Sequence, residues 1–375
     1  MKLLQHCRNL VADPAYRNTC LAEIKDRTRG IVGYFSNYIP PEVIAAAGFH
    51  PLRIIGTLTP AAGASPRGLF NPVCSFVQDV WAAARSGAFA QLDRIVFPNS
   101  CDALKLLGQQ WEDAITHPPA ETLLHPIQAD AASIPYFAEV LRQWASRLKV
   151  TGGIDFTDTD LRVEIDQANA VRWLQRRLYA IRKLNPAVLA GSDVITLITA
   201  GFIMDRRAYR RQLEQVVQEA AAQDPSARPD GKNLMLIGPL VDNLELLRQI
   251  ERQGVCLIDD DITNGSRSID RDVEMEGDPY INLAERCLRA APSPTLYTDT
   301  ASESAAFTRR IADLQPDGVL FIIQKYCEPH VHNYLSKAEA LRRMGIPALM
   351  LEVEHGQDSL APADLLRVES LIEVA

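Results

Sequence analysis

The usual sequence marks of nucleotide and hydrolase chemistry are missing from this chain. Nowhere in its 375 residues is there a Gly-x-x-x-x-Gly-Lys-Ser/Thr phosphate loop, a Gly-x-Gly-x-x-Gly fingerprint or a Gly-x-Ser-x-Gly elbow. Any ATP-dependent chemistry must draw its nucleotide from another chain. Positive charge is in deficit: 39 Lys and Arg stand against 47 Asp and Glu, a net charge of -8, with a pI near 5.5. That argues against a general nucleic-acid binder and leaves room for a local basic pocket. The opening Met1-Lys-Leu-Leu-Gln-His-Cys7 has no apolar core of signal-peptide length. The most apolar stretch, residues 187–204, carries Asp193 and two glycines, so a buried helix is expected there and not a membrane span. Regular cysteine spacing is also lacking. Seven cysteines, an odd number, do not make a disulfide framework; they suit a reducing cytoplasm with metal or thiol chemistry. There is no solenoid-type repeat and no low-complexity tract.

What is present is ordinary globular composition, 47% hydrophobic and 23% charged, in a chain long enough for two or three domains. A first α/β unit begins near Gly30. Residues 31–35 read as a strand, 40–48 as a helix with proline in its first turn and glycine as its stop, and 52–56 as a second strand. Residues 57–69, rich in Ala, Pro and Gly, read as a loop. A helix at 76–85, a strand at 94–97 and a helix through Trp111 follow. The middle is helical, with 3.6-residue apolar spacing over 134–148, 158–184 and 205–222. A polar linker at 223–232 precedes a second α/β unit. Its strands are expected at 234–237, 255–258, 319–323 and 348–353, with helices near 244–252, 280–289, 302–314 and 336–344. Such alternation predicts parallel sheets. The expected organisation is an N-terminal helical segment (1–25), a first α/β lobe (26–155), a helical connecting segment (156–225) and a second α/β lobe (226–375).

Three cysteines sit where strands end or helices begin. Cys74 lies in Asn71-Pro-Val-Cys-Ser-Phe76, Cys101 in Phe97-Pro-Asn-Ser-Cys-Asp102 and Cys327 in Gln324-Lys-Tyr-Cys-Glu-Pro-His330. Function in open α/β sheets gathers at the carboxyl ends of strands, so thiols from both halves can meet at one crevice. Amide groups at helix starts favour thiolates and cluster sulfides. Three thiolates are one short of a closed four-cysteine iron–sulfur site and would leave one iron open. Against this stands plain packing, because free cysteine is among the most buried residue types. Packing is the better reading for Cys7 and Cys20 in a polar helical region, for Cys256 in a strand and for Cys287 in a helix. Cys327-Glu-Pro-His330-Val-His332 leaves a mixed-ligand zinc site open, on a weaker pattern than two close pairs. Asp259-Asp-Asp261 is expected just past its strand, where it binds a cation, orients a partner group or caps the next segment.

Together these segments resemble the 2-hydroxyacyl-CoA dehydratase family, which includes the two cluster-bearing subunits of ATP-dependent benzoyl-CoA reductases. The markers are Val32-Gly-Tyr-Phe-Ser-Asn-Tyr-Ile-Pro-Pro-Glu-Val-Ile-Ala-Ala-Ala-Gly-Phe-His-Pro51, Phe97-Pro-Asn-Ser-Cys-Asp102 and Lys325-Tyr-Cys-Glu-Pro329. Val255-Cys-Leu-Ile-Asp-Asp-Asp261, Gly277-Asp-Pro279 and Gly345-Ile-Pro347 support them. The resemblance runs from about Gly30 to the C-terminus. It implies two Rossmann-like lobes with parallel sheets, joined by the helical middle segment. It also implies a 4Fe–4S cluster in the crevice between them. The ligands carried over by motif are Cys74, Cys101 and Cys327, with a fourth, non-cysteine position for water, a small ligand or substrate. The implied partners are a related second cluster-bearing subunit and a separate ATP-hydrolysing activator with its own iron–sulfur cluster. The implied substrate is an acyl-CoA thioester; neither nucleic acid nor membrane is involved. In the dehydratases the reduced thioester carbonyl becomes a ketyl radical that expels hydroxyl; in the reductases electrons and protons enter an aromatic ring.

The Ala- and Arg-rich composition tilts the expectation towards a dearomatising benzoyl-CoA reductase in a cytoplasmic, anaerobic pathway, and the length towards its smaller subunit. A 2-hydroxyacyl-CoA dehydratase subunit, eliminating water, is the alternative, as is a non-catalytic cluster-carrying partner. Asp102, Glu328 and His330 adjoin the three cysteines and are the candidate proton donors, with ligand orientation or helix capping as their plainer role. Ser36 stands where many relatives carry cysteine, and the loop at 57–69 is a place where substrate choice would be set.

Overall fold

The computed structural model describes residues 2–56, 73–223, 231–291, 293–297 and 299–375. The expected loop at 57–69 and most of the expected linker at 223–232 lie outside them. Two N-terminal helices, α1 (Lys2–Ala12) and α2 (Pro14–Lys25), lead into the first α/β unit. That unit runs β1 (Ile31–Tyr34), α3 (Pro41–Ala46), β2 (His50–Arg53), α4 (Ser75–Arg85), β3 (Arg94–Pro98), α5 (Asp102–Ala114), β4 (Ala120–Leu123) and α6 (Ser133–Val150). Three helices follow: α7 (Asp158–Leu184), α8 (Gly191–Gly201) and α9 (Arg206–Ala221). The second unit runs β5 (Lys232–Ile237), α10 (Leu244–Glu251), β6 (Val255–Asp261), a 3-10 turn (Ser266–Ser268), α11 (Pro279–Leu288), α12 (Thr300–Leu314), β7 (Gly318–Gln324), α13 (Glu328–Arg343), β8 (Ala348–Val353) and α14 (Pro362–Val374).

All pairings are parallel, in the orders β2-β1-β3-β4 and β6-β5-β7-β8. The two four-stranded sheets thus share one topology, and both fit Rossmann-like lobes. Parallel strands covered on both faces must be apolar throughout. β1 and β7 are buried at every position. In the first sheet Ile31, Ile95 and Phe97 face a core shared with α1, α4, α5, α8 and α9. Val32, Tyr34 and Val96 face another, shared with α3, α6 and α11. In the second sheet Leu234, Leu236 and Leu320 pack with α10 and α14, while Met235, Val319 and Phe321 pack with α12 and α13. Helix α11 therefore crosses back to cover the first sheet, joining the two units through their cores. Close approach of β5 and β7 at the crevice needs a residue without a side chain: a Cβ on Gly238 would lie 2.2 Å from the Ile322 carbonyl oxygen.

Most boundaries fall within two residues of their expected places, but several do not: α5 runs three residues past Trp111, and α14 was not foreseen. β4 was not foreseen: its Ala-Glu-Thr-Leu is short and half-exposed, so it shows no apolar run. β2 starts two residues and ends three residues earlier than expected, because Ile54 and Ile55 are buried beyond the last paired rung. Asp259–Asp261 are the end of β6, not a turn after it. Helix α13 starts at Glu328, eight residues before the expected 336. Its buried face is His330, Lys337 and Leu341, so apolar spacing hides it. The buried helix expected in 187–204 is present as α8. Cys7 and Cys287 are packed, Cys256 lies in β6 and Cys20 is half-buried in α2. Among the described residues, no helix is long and apolar enough to cross a membrane.

Candidate functional site

In both sheets strand order reverses between the first and third strands, β1 and β3 in one and β5 and β7 in the other. Chain entering and leaving there parts and opens a crevice at the carboxyl ends. Cys101 follows β3 and is the N-cap of α5; Cys327 follows β7 and is the N-cap of α13. The two cysteines hold equivalent places in the two sheets. Cys74 is the N-cap of α4, the helix between β2 and β3. All three line one crevice between the sheets, with Phe35, Leu104 and Leu240 on its apolar wall. Its empty volume is about 880 Å³, mouth included, within the range of cofactor and small-ligand sites.

Five other helices start on the usual oxygen caps. Asp13, Thr157, Asp205, Asp278 and Asp299 each accept from the first-turn amides of their helix. The crevice helices instead begin on sulfur, and none of the three cysteines makes a full capping bond. Burial pushes the Cys74 thiol up to about 12, while the amides of Val77 and Phe76 draw it down. Burial raises Cys101 against the amides of Leu104 and Ala103. Cys327 is raised by burial and then by Cys74 and Cys101, and lowered by the amide of His330. The three sulfurs thus feel one another. Each also faces helix-start amides that favour the thiolate once a cation compensates its burial.

Several groups that the sequence reading did not single out line the same crevice. Arg267 is 3% exposed and donates from Nε and Nη2 to Asp261, at 2.6 and 3.0 Å. Its Nη1 is buried without a partner among the described residues. Arg53, also 3% exposed, donates from Nη1 to Asn37 at 2.7 Å, and its Nε and Nη2 have no partner among the described residues. Ser100 Oγ is likewise buried and unpaired. None of these groups leaves a signal in the sequence, because burial and unmade bonds do not show in the order of residues. The Asp259–Asp261 run does orient partner groups. Asp261 holds Arg267 and Lys337 (3.1 Å), Asp260 accepts from Tyr179 (2.7 Å) and Arg182 (3.2 Å), and Asp259 meets Arg310 at 3.0 Å. Burial would raise Asp261, but Arg267, Lys337 and Arg310 hold it well below the usual carboxylate range.

The three groups beside the cysteines part company. Asp102 is fully exposed and pairs with Lys105 at 3.4 Å. Glu328 is exposed on the first turn of α13. Only His330 is buried and lines the crevice. Burial, then Arg267 and Lys337, lower its pKa well below the usual value, so its imidazole is neutral. His332 is exposed, away from His330. Among the described residues, no three His, Cys, Asp or Glu side chains converge to hold a single metal ion. The three cysteines share a wall without meeting at one point.

The crevice is framed by contacts across the sheets. The Ser75 amide, next to Cys74, donates to the Lys325 carbonyl (3.2 Å), and the His355 amide donates to Ser75 Oγ (2.9 Å). The His355 ring lies between carboxylates of both units, Nδ1 2.7 Å from Asp79 and Nε2 2.8 Å from Asp242. The second contact is an ion pair without hydrogen-bond alignment. Burial opposes the charge, but Asp242 and Asp79 raise His355 to about 10.

A family described as 2-hydroxyglutaryl-CoA dehydratase, D-component, matches residues 36–374 of the chain. Curated relatives align end to end at low identity. The beta subunit of the lactoyl-CoA dehydratase of Anaerotignum propionicum is 24% identical, covering 99% of this chain and 98% of its own. The (R)-phenyllactyl-CoA dehydratase beta subunit of Clostridium sporogenes is 21% identical, over 94% and 93%. One of the subunits of the benzoyl-CoA reductase of Thauera aromatica is 22% identical, over 96% and 95%.

Proposed function

The chain belongs to the 2-hydroxyglutaryl-CoA dehydratase D-component family, and on that premise we propose that it is the smaller, cluster-bearing subunit of a radical enzyme acting on an acyl-CoA thioester. The observation that carries this reading is the meeting of Cys74, Cys101 and Cys327 in one crevice, each at a helix start. The donor set fits an iron–sulfur cluster of the 4Fe–4S type. Thiols that line one wall without converging suit separate corners of a polynuclear cluster better than one zinc ion. Their raised pKa values mean that ligation would release protons that burial otherwise retains. Such a cluster, when bound, supplies a low-potential electron and an iron site open to the substrate.

The chain's own residues supply the setting. Phe35, Phe76, Leu104 and Leu240 make a largely apolar wall that keeps water from reactive intermediates. The unpaired N–H groups of Arg53 and Arg267 offer positive charge and donors to whatever negative charge gathers in the crevice. Neutral His330, on the same wall, can donate one N–H but does not carry an acidic imidazolium. The electron is supplied by a separate ATP-hydrolysing activator. The substrate site is completed with a related subunit, in keeping with the naming of the relatives as single subunits of their enzymes. The 26–155 and 226–375 lobes and a cytoplasmic, reducing setting belong to the same proposal.

The composition-based tilt towards benzoyl-CoA reductase gains no support. Dehydratase and reductase subunits match at 21–24% identity over nearly the whole chain, too even to separate them. Because the family description and three of those four relatives name dehydratases, we place dehydration of a 2-hydroxyacyl-CoA first and ring reduction second. The deciding experiment is iron, sulfide and zinc analysis of the strictly anaerobic protein, co-expressed with its neighbouring genes, with EPR after reduction. About four irons and four sulfides per chain are expected, with the signal lost in Cys101→Ser. Absence of iron, or zinc in its place, would leave the family membership standing and remove the cluster chemistry. With activator and ATP, an enoyl-CoA product marks dehydration and a cyclic dienoyl-CoA marks ring reduction.

A further inference from the structure

A second cavity, of about 1140 Å³ with its mouth included, lies on the other side of Arg53 from the cysteine crevice. It forms where the carboxyl ends of β1 and β2 meet α7, the end of α8 and the start of α9. Its lining holds five arginines: Arg53, Arg172, Arg206, Arg207 and Arg286. The carboxylates that answer them are Glu164 and Asp205 in the same lining and Glu42, the ion-pair partner of Arg172. Glu164 is shared between Arg206 and Arg207, at 3.2 Å each. Asp205 spends one oxygen on the Ala208 amide at the start of α9. Arg286 donates to the main-chain carbonyls of Ser268 at 2.9 Å and Arg271 at 3.4 Å, and makes no ion pair among the described residues. Arg53 stacks over the Phe202 ring at 4.6 Å and, among the described residues, makes no ion pair with a carboxylate.

Buried charge in proteins is paired or it is displaced; leaving aside Arg207 and Asp205, which are exposed, four guanidiniums here face two carboxylates, a surplus of two. Arg53 makes the imbalance concrete, with two of its nitrogens buried and unpartnered. Asn37, which accepts its side-chain hydrogen bond, is itself held by donation to the Thr263 carbonyl at 3.3 Å. We propose that this cavity binds a phosphoryl oxyanion, with Arg53 as its innermost donor and Arg206 at its rim. A dianion matches a surplus of two charges where a carboxylate would leave one over, and forked guanidinium donors match the oxygens of a tetrahedral anion. Burial lowers Arg53 to about 10, with Tyr34 opposing and Arg286 adding to the effect, so the guanidinium stays charged at neutral pH. Because Arg53 lines both cavities, the anion would sit one side chain away from the three thiols, and its charge would compete for the donors that face the crevice.

The inference does not depend on the iron–sulfur reading and is tested without it. Inorganic phosphate is titrated calorimetrically into the full-length chain at low ionic strength, with coenzyme A as a second ligand and a competitor. Saturable phosphate binding is expected, weakened about tenfold or more in Arg53→Met and several-fold in Arg206→Gln. Should Arg53→Met fail to fold, Arg206→Gln alone decides. Competition by coenzyme A assigns the phosphoryl group to a thioester carrier; phosphate binding that coenzyme A leaves untouched assigns it to a free anion. No phosphate-dependent heat and no rise in melting temperature with either ligand would overturn the proposal. So would binding that survives the folded variants undiminished, since the anion would then lie elsewhere.

Discussion

His355 carries a charge that the two sheets hold in common. Asp79 comes from α4 and Asp242 from the segment after β5, and the ring between them is 1% exposed. Its folded pKa of about 10 lies above the ordinary histidine value, so the ion pairs contribute fully below about pH 6.5 and are lost as pH rises through 10. Removing the imidazolium leaves two partly buried carboxylates facing each other, a loss of about 3 kcal/mol at neutral pH. His355→Gln should therefore be less stable than the parent at pH 7, and the gap should narrow by pH 10.5. Parallel stability profiles across that range would show that the imidazole is not charged in the folded chain. Strain gathers at this scale too. Ser36 and Tyr326, at the ends of β1 and β7, have φ of 60° and 64°, a region that non-glycine residues rarely occupy. Tyr326 turns the chain sharply enough to set Cys327 at the start of α13. Of these residues the sequence displayed the cysteines, through their place after apolar runs. It did not display Arg53, Arg267 or His355, whose meaning lies in partners more than 100 residues away or in bonds left unmade.

At the scale of elements, legibility follows apolar spacing. β8 lies where its apolar run places it, and α7 spans the expected 158–184 because its apolar face is regular and its start is marked by Thr157 and Asp160. Those two form a capping box, Thr157 Oγ1 accepting from the Asp160 amide while the Asp160 carboxylate accepts from the Thr157 amide at 2.9 Å. Elements that bury polar residues stay hidden. α13 buries His330 and Lys337 because Asp261 waits for the lysine, and β6 runs on through three aspartates because Arg182, Arg267, Arg310 and Lys337 neutralise them. No reading of local pattern can supply those partners. The cap on α7 is testable locally. Thr157→Ala should cost about 1 kcal/mol at the helix start, read as roughly fivefold faster hydrogen exchange of the first-turn amides. Unchanged exchange there would show that packing on α3 and α9, and not the cap, fixes the start of α7.

At the scale of the whole chain, the site is a property of two sheets with the same strand order. Cys101 and Cys327 occupy equivalent strand-to-helix junctions. At the place equivalent to Cys74, the start of α12, stands the cap Asp299. The third thiol thus comes from the first unit alone, and α4 must be tied to the second unit for the three to face one another. Ser75, Lys325 and His355 make that tie. If one group is held by thiols from both units, loading it cross-links the sheets, and its binding free energy adds to the stability of each. The iron-loaded protein should then melt at a higher temperature than the chelated one. Cys101→Ser should lose most of that gain. Hydrogen exchange at the junction of β7 and α13, in the opposite unit, should quicken in the variant as it does on chelation. If instead loaded and chelated protein unfold together, the thiols do not share a ligand. If Cys101→Ser loosens only β3 and α5, the bound group belongs to the first sheet alone, and the crevice between the sheets serves some other purpose.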